Sequence, residues 1–310
     1  MPLKLNYHRY DIFTTTRFLG NPLAIVHVPA SASLTQEHKQ CIAREFNLSE
    51  TTFVHEEEPG MQIQTTFRTD IFTPHTEIPF AGHPTIGTGF HLLSTRQDND
   101  VTLRIKAGDT VVTRTGEASV RLRVPVDFKI HSALKIDNLI IKQTHLSADD
   151  FTERSKMIPI ASIVKGMNFF ILEVNDVDVL GRMYPYSEDI TIPSTHLGAW
   201  SGSQTETTLI HVYAYTVIEE SDQIRIRARM FSWAGHEDPA TGSAACTLGS
   251  YLASKKGKGK WRFEITQGVE MGRKSEIVVI VEIGDGNVVE NVQLEGSAVK
   301  VMEGSLTLDA

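Results

Sequence analysis

Three titratable side chains sit in segments whose small residues would let a ligand come close: Glu50 in "NLSETTFV", His83 in "FAGHPTIGTG" and Asp238 in "EDPATGS". A carboxylate and an imidazole flanking a dry cleft are the parts needed to take a proton from carbon and return it elsewhere. His83 and Ser243 each follow a glycine, Gly82 and Gly242, where a helix is expected to begin, and Thr85 lies in the first of those turns. A helix N-terminus offers N–H groups outside the intrahelical ladder and the positive end of the dipole, so two such entrances facing one cleft would hold a substrate carboxylate. Pro84 fits the first turn because its missing N–H would have had no intrahelical partner.

Taken singly, each of these residues has an ordinary reading. Glu50 could be a solvated carboxylate at a strand start, Asp238 before Pro239 a turn residue, and His83 and Ser243 helix caps. Cys246 reads as a small core residue, and Arg68 and Arg227 as strand charges. His236, two positions before Asp238, could tune the pocket for a different substrate, but reads rather as an exposed loop residue. A metal reading competes, because "HTEIPFAGH" brings His75, Glu77 and His83, all ligand types, into one stretch. Their loose spacing across a loop and a helix entrance gives no second-shell pattern to support it.

The elements that must position these side chains are mostly strands. "LAIVHV", "QIQTTFRTDIF", "TLIHVYAYTV", "QIRIRARMFS" and "EIVVIVEI" are rich in β-formers and mostly alternate apolar with polar residues, the period of a half-buried antiparallel strand. Helical signals are few. The clearest starts at Ser33, with Ser33 as expected N-cap, Gln36 completing a capping box and Asn47 as the stop. The other two, "TIGTGFHLLS" and "AACTLGSYLAS", are poor helix formers, yet their small side chains suit a helix enclosed by a wrapped sheet. Their contexts match: an Arg-bearing strand, an aromatic, a loop, a glycine and a small-residue helix. Laying Gly82 on Gly242 places His83 on Ser243 and suggests a duplicated unit. The expected division is 1–125 and 126–310, with the last strand, about 293–310, returning to the first half.

With 310 residues, 41% hydrophobic and 22% charged, the chain is long enough for two cores. Its formal charge of −8 argues against nucleic acid or an anionic membrane as partner. The one basic run, "SKKGKGKWRF", reads as a solvated loop. Only Cys41 and Cys246 occur, which excludes a disulfide framework. No apolar run reaches the roughly 18 residues of a membrane span, and the opening residues lack a signal-peptide pattern, so a cytoplasmic address is expected.

Together, "DIFTTTRFLGNPLAIV", "EFNLSETTFV", "IFTPHTEIPFAGHPTIGTG" and "EDPATGSAACTLGSYL", in this order, resemble the PhzF family of phenazine-biosynthesis-like proteins. The C-terminal "QGVEMGRKSEIVV" and "VQLEGSAVKVMEGSL" are also similar. The resemblance implies an α+β fold like that of diaminopimelate epimerase: two similar halves, each a curved, mostly antiparallel barrel-like sheet around a central helix. It also implies a cofactor-free isomerase of a small, cyclic carboxylate of the dihydro-3-hydroxyanthranilate type. Glu50 would shuttle the proton, His83 and Asp238 would assist, and Gly82, Thr85, Gly242 and Ser243 would line the pocket, with no metal. A homodimer suits the family. A non-catalytic relative serving as a binding or scaffold protein is the alternative. Epimerases of this fold use a cysteine pair; here Ala81 precedes Gly82 and Asp238 stands at the second motif, which argues against two-thiolate racemisation.

Overall fold

The computed structural model describes residues 2–57, 64–135, 143, 145–152, 157–220 and 223–308. By its internal contacts the chain divides into two compact units, Met1–Arg123 with Glu295–Ala310, and Val124–Leu294. The two repeat one order of elements.

The first unit contains strands β1 (Leu3–Ile12) and β2 (Asn21–Val28), helix α1 (Gln36–Phe46), strands β3 (Thr51–His55), β4 (Thr66–Phe72) and β5 (Glu77–Ile78), helix α2 (Gly82–Ser94), strands β6 (Asp100–Ile105), β7 (Gly108–Arg114) and β8 (Ser119–Arg123), and the later part of the last strand, β19 (Val289–Leu308). β1 pairs antiparallel with β2, β2 parallel with β3, β3 antiparallel with β4, and β4 parallel with β6. β6, β7 and β8 follow as antiparallel neighbours, β8 pairs with β19, and β19 pairs antiparallel with β1. Eight strands therefore close on themselves, which removes the free edges of an open sheet.

α2 is wrapped by this barrel. It packs on β1, β2, β3, β6, β7 and β8, and every residue of it except Phe90 and Ser94 is buried. Enclosure on all sides explains its composition: a helix with strands all round needs short side chains where backbones approach. Gly89 is the sharpest case, since a Cβ there would lie 2.5 Å from Val112 Cγ1 and 2.7 Å from its Cβ on β7. Gly89→Ala is expected to cost about 1–3 kcal/mol through overpacking, read as a lower denaturant midpoint at unchanged m-value.

The second unit contains β9 (Lys129–Leu134), β10 (Ile158–Ser162), β11 (Asn168–Glu173), α3 (Val177–Arg182), β12 (Thr191–Pro193), α4 (Ser194–Leu197), β13 (Thr207–Leu209), β14 (His211–Glu220), β15 (Ile224–Phe231), β16 (Glu237–Asp238), α5 (Gly242–Lys256), β17 (Gly259–Gln267), β18 (Ser275–Ile283) and the start of β19. β10 pairs antiparallel with β11, β11 parallel with β14, β14 antiparallel with β15, β15 parallel with β17, and β17 antiparallel with β18. These are the pairings of β1 to β7 repeated, with α3 at the place of α1, β16 at that of β5 and α5 at that of α2. Gly249 of α5 meets Val279 of β18 as Gly89 meets Val112, with a Cβ 2.9 Å from Val279 Cγ1. β12 and β13 form a separate two-stranded ribbon.

Two sequence expectations need correction. α1 is capped by Thr35, not Ser33: the Thr35 hydroxyl accepts from His38 N–H, and His38 Nδ1 accepts from the Thr35 N–H. Leu34 packs on the apolar cluster of Leu5, Val26, Ile42, Phe53 and Phe72, which holds it outside the helix and leaves Thr35 to start it. Asn47 ends α1 in the left-handed conformation, as expected. The basic run is not a loop. Lys255 and Lys256 form the last turn of α5, Gly257 caps it at φ +88°, and β17 begins at Gly259. Lysines at a helix C-terminus complement the dipole, and Lys256 also pairs with Glu220.

Candidate active site

In the first unit the chain leaves α1, turns at Asn47 and enters β3 one residue after Glu50. β3 is tied to the enclosed helix by a hydrogen bond between the Thr52 and Thr88 hydroxyls, 3.0 Å apart in the core. This brings the start of β3 beside the first turn of α2, where Glu50 Oε2 lies 3.1 Å from His83 Nδ1. The His83 side chain is 5% exposed and that of Glu50 16%, so the pair is largely withdrawn from water. Thr85 uses its hydroxyl locally, donating to the Ala81 carbonyl at 2.7 Å, which steadies the first turn. Gly82 is buried at the helix start.

The metal reading is not assembled. Glu77 Oε2 accepts from Lys106 at 3.2 Å and from Gln36 at 3.0 Å, the His75 backbone N–H donates to Thr73 in an exposed turn, and His83 belongs to Glu50.

In the second unit Asp238 ends β16 and Gly242 and Ser243 open α5. A directional chain of hydrogen bonds holds Asp238. Burial, reinforced by the nearby Asp238 carboxylate, pushes the Tyr213 phenol well up, so it stays protonated and donates to Gln267 Oε1 at 3.0 Å. The Gln267 amide then donates to the Asp238 carbonyl at 2.8 Å and to the Thr241 hydroxyl at 3.2 Å. Thr241 in turn donates to Asp238 Oδ2 at 2.5 Å. Tyr213 and Gln267 are both 0% exposed. Sequence reading missed them; a glutamine at a strand end beside a glycine carries no local signal. Gln267→Leu is expected to lower stability by about 1–3 kcal/mol, because it strands the Tyr213 hydroxyl and the Thr241 N–H; equilibrium denaturation measures it.

Cys246 is fully buried on α5, and burial pushes its thiol far up, which leaves it a core residue. His236 is not the exposed loop residue expected. It is half-buried, stacks on Trp233 with ring centroids 4.0 Å apart and hydrogen-bonds Ser232 at 2.6 Å.

A closed eight-stranded barrel around α2, the same strand order repeated with α5, and a carboxylate and an imidazole at the start of α2 mark a mostly β fold of the PhzF and epimerase type. A PhzF-family phenazine biosynthesis protein of Bacillus anthracis has a similar structure, with a TM-score of 0.78 and 25% identity over 98% of this chain and 99% of that one. The chain belongs to the phenazine biosynthesis-like protein family, whose model matches residues 10–304. An uncharacterized isomerase of Pasteurella multocida is 31% identical over 89% of this chain and 86% of its own. The trans-2,3-dihydro-3-hydroxyanthranilate isomerase of Pseudomonas fluorescens is 28% identical over 98% and 99%. The chain is an isomerase of this family. No described helix is long and apolar enough to cross a membrane.

Proposed function

We propose that this isomerase moves a proton between two carbons of a small, cyclic, carboxylate-bearing substrate, with Glu50 as the group that takes the proton and gives it back. The observation that carries the reading is the Glu50–His83 pair, 3.1 Å apart at the buried start of α2. The Glu50 carboxylate removes a proton from an activated C–H, the electron pair left behind delocalises into the substrate's π-system, and the same carboxyl protonates a different carbon. No cofactor is needed for that balance. His83 holds the carboxylate in place through Nδ1, and its ring polarises the bound substrate. Asp238, fixed by Thr241 and Gln267, is assigned to hold a substrate amine or hydroxyl. Gly82 and Thr85 at the start of α2, and Gly242 and Ser243 at the start of α5, are assigned to substrate binding, since each helix start offers N–H groups that suit a carboxylate.

The name of the Pseudomonas fluorescens relative points to a dihydro-3-hydroxyanthranilate-like substrate. The test is incubation of the protein with that compound in heavy water, followed by mass spectrometry of substrate and product. Incorporation of deuterium at carbon supports the reading. Turnover with a product that carries only non-exchanged hydrogen would rule out a solvent-exchanging carboxylate shuttle, and no turnover would exclude this substrate.

A further inference from the structure

Three histidines that play no part in the proposed proton transfer converge at the other end of α2. His8 comes from β1, His27 from β2 and His91 from the last turn of α2. His91 is eight residues from His83, about 12 Å along the helix axis at 1.5 Å per residue, so the cluster is separate from the Glu50 pair. His8 Nδ1 lies 3.2 Å from His27 Nε2, and His27 Nε2 lies 2.9 Å from His91 Nε2. One nitrogen of each ring falls within 4.8 Å of the other two.

The outward nitrogens decide which tautomers are present. His27 Nδ1 faces the Glu56 carboxylate at 2.8 Å and His8 Nε2 faces the Glu303 carboxylate at 3.4 Å. A carboxylate accepts only, so each of these nitrogens carries the proton. In the neutral rings, His8 Nδ1 and His27 Nε2 are then both lone-pair nitrogens, pointed at each other with no hydrogen to share. His91 can join them, because the Tyr10 hydroxyl, 3.0 Å from His91 Nδ1, can accept its proton and free Nε2. Three imidazole lone pairs aimed at one point repel unless a cation sits among them.

We infer that His8, His27 and His91 form a binding site for a divalent late transition-metal ion of the Zn2+ class. A tetrahedral ion with metal–nitrogen bonds of about 2.0–2.1 Å separates its ligand nitrogens by about 3.3 Å, close to the spacings here. Neutral imidazoles suit such ions. The carboxylates of Glu56 and Glu303 behind two of the rings supply the outer hydrogen bonds that orient metal-bound histidines and raise their basicity. Lys300 is held by Glu303 at 2.8 Å. His91 is buried while His8 and His27 are partly exposed, which leaves a route for the ion and a fourth position for water. The bound ion would fasten the enclosed helix to two strands of its barrel.

The test uses tag-free protein stripped with a chelator and reloaded with Zn2+ or Co2+. The expected result is one Zn2+ per chain retained through gel filtration, a raised melting temperature, and the visible bands of tetrahedral Co2+. His8→Ala and His27→Ala, both at partly exposed positions, should weaken Zn2+ binding at least 100-fold, and Glu56→Gln by about 10- to 100-fold; circular dichroism checks that each variant folds. Glu50→Gln should keep the ion. Sub-stoichiometric uptake by the wild type, binding unchanged in His27→Ala, or loss of the ion in Glu50→Gln would each overturn the inference, the first in favour of a shared proton and the last in favour of a metal at the proton-transfer pair.

Discussion

Glu50→Gln is expected to lower kcat by about a thousandfold, within the 10²–10⁴ that a positioned general acid–base contributes. The amide keeps the shape of the side chain and can keep the 3.1 Å approach to His83 Nδ1, so the fold and KM should change little. What it loses is the capacity to take and release a proton, and deuterium uptake from heavy water should disappear with turnover. A fall in kcat without a change in KM identifies an interaction made only in the transition state. Activity within tenfold of wild type would remove Glu50 from the proton path and pass the role to His83 or Asp238. The two alternatives separate, because deuterium uptake would disappear in His83→Asn if His83 were the base and in Asp238→Asn if Asp238 were.

Much of the arrangement was legible in the sequence. Glycine, threonine and serine at helical spacing after "GHP" and "TGS" make sense only for helices that are wrapped, and α2 and α5 are the two enclosed helices of the units. The repeat was legible in the order of elements and extends to Gly89 and Gly249, each pressed against a valine of the equivalent strand. Glu50 and His83 stood out by motif, and the structure brings them within 3.1 Å. Other features depend on pairings between distant segments. His8, His27 and His91 meet only because β1 and β2 pair in register and the last turn of α2 comes level with them. Gln267 reaches Asp238 because β17 lies beside β15, which also pairs with β16. The cap of α1 was misplaced for a related reason: Ser33 and Thr35 have similar capping propensity, and the burial of Leu34 decides between them.

The same long-range pairing places a buried charge at equivalent points of the two units, and it carries the largest expected effect on stability. In the second unit Arg229 of β15 grips Glu237 through two nitrogens and donates to the Leu180 and Met183 carbonyls at the end of α3. In the first unit Asp70, at the matching position of β4, takes Lys39 of α1 at 2.6 Å and His55 of β3 at 2.8 Å. Each charge locks the crossover helix of its unit onto the sheet. Side-chain exposures of 5% for Lys39 and 9% for Asp70 mean that removing one partner leaves the other buried. Lys39→Met is therefore expected to cost about 3–5 kcal/mol at pH 7. Burial alone would raise the Asp70 carboxyl, but the hydrogen bonds from His55 and Lys39, with their charges, outweigh it and hold it well below the ordinary range. A depressed folded value contributes stability that is whole above the unfolded value of about 4 and is lost as the pH falls toward the folded one. The deficit of Lys39→Met should accordingly be greatest at neutral pH and begin to narrow below about pH 4, where the unfolded chain's carboxyl takes up a proton, closing only as the pH approaches the depressed folded value. Denaturant titrations at pH 7 and pH 3.5 read the full deficit and the onset of its narrowing. Lys39→Met combined with Asp70→Leu should recover most of the loss, because an apolar pair of similar volume carries no desolvated charge. A cost under about 1 kcal/mol at pH 7, or a deficit that widens in acid, would mean that α1 is held by its apolar face of Ile42 and Ala43 and that the ion pair contributes little.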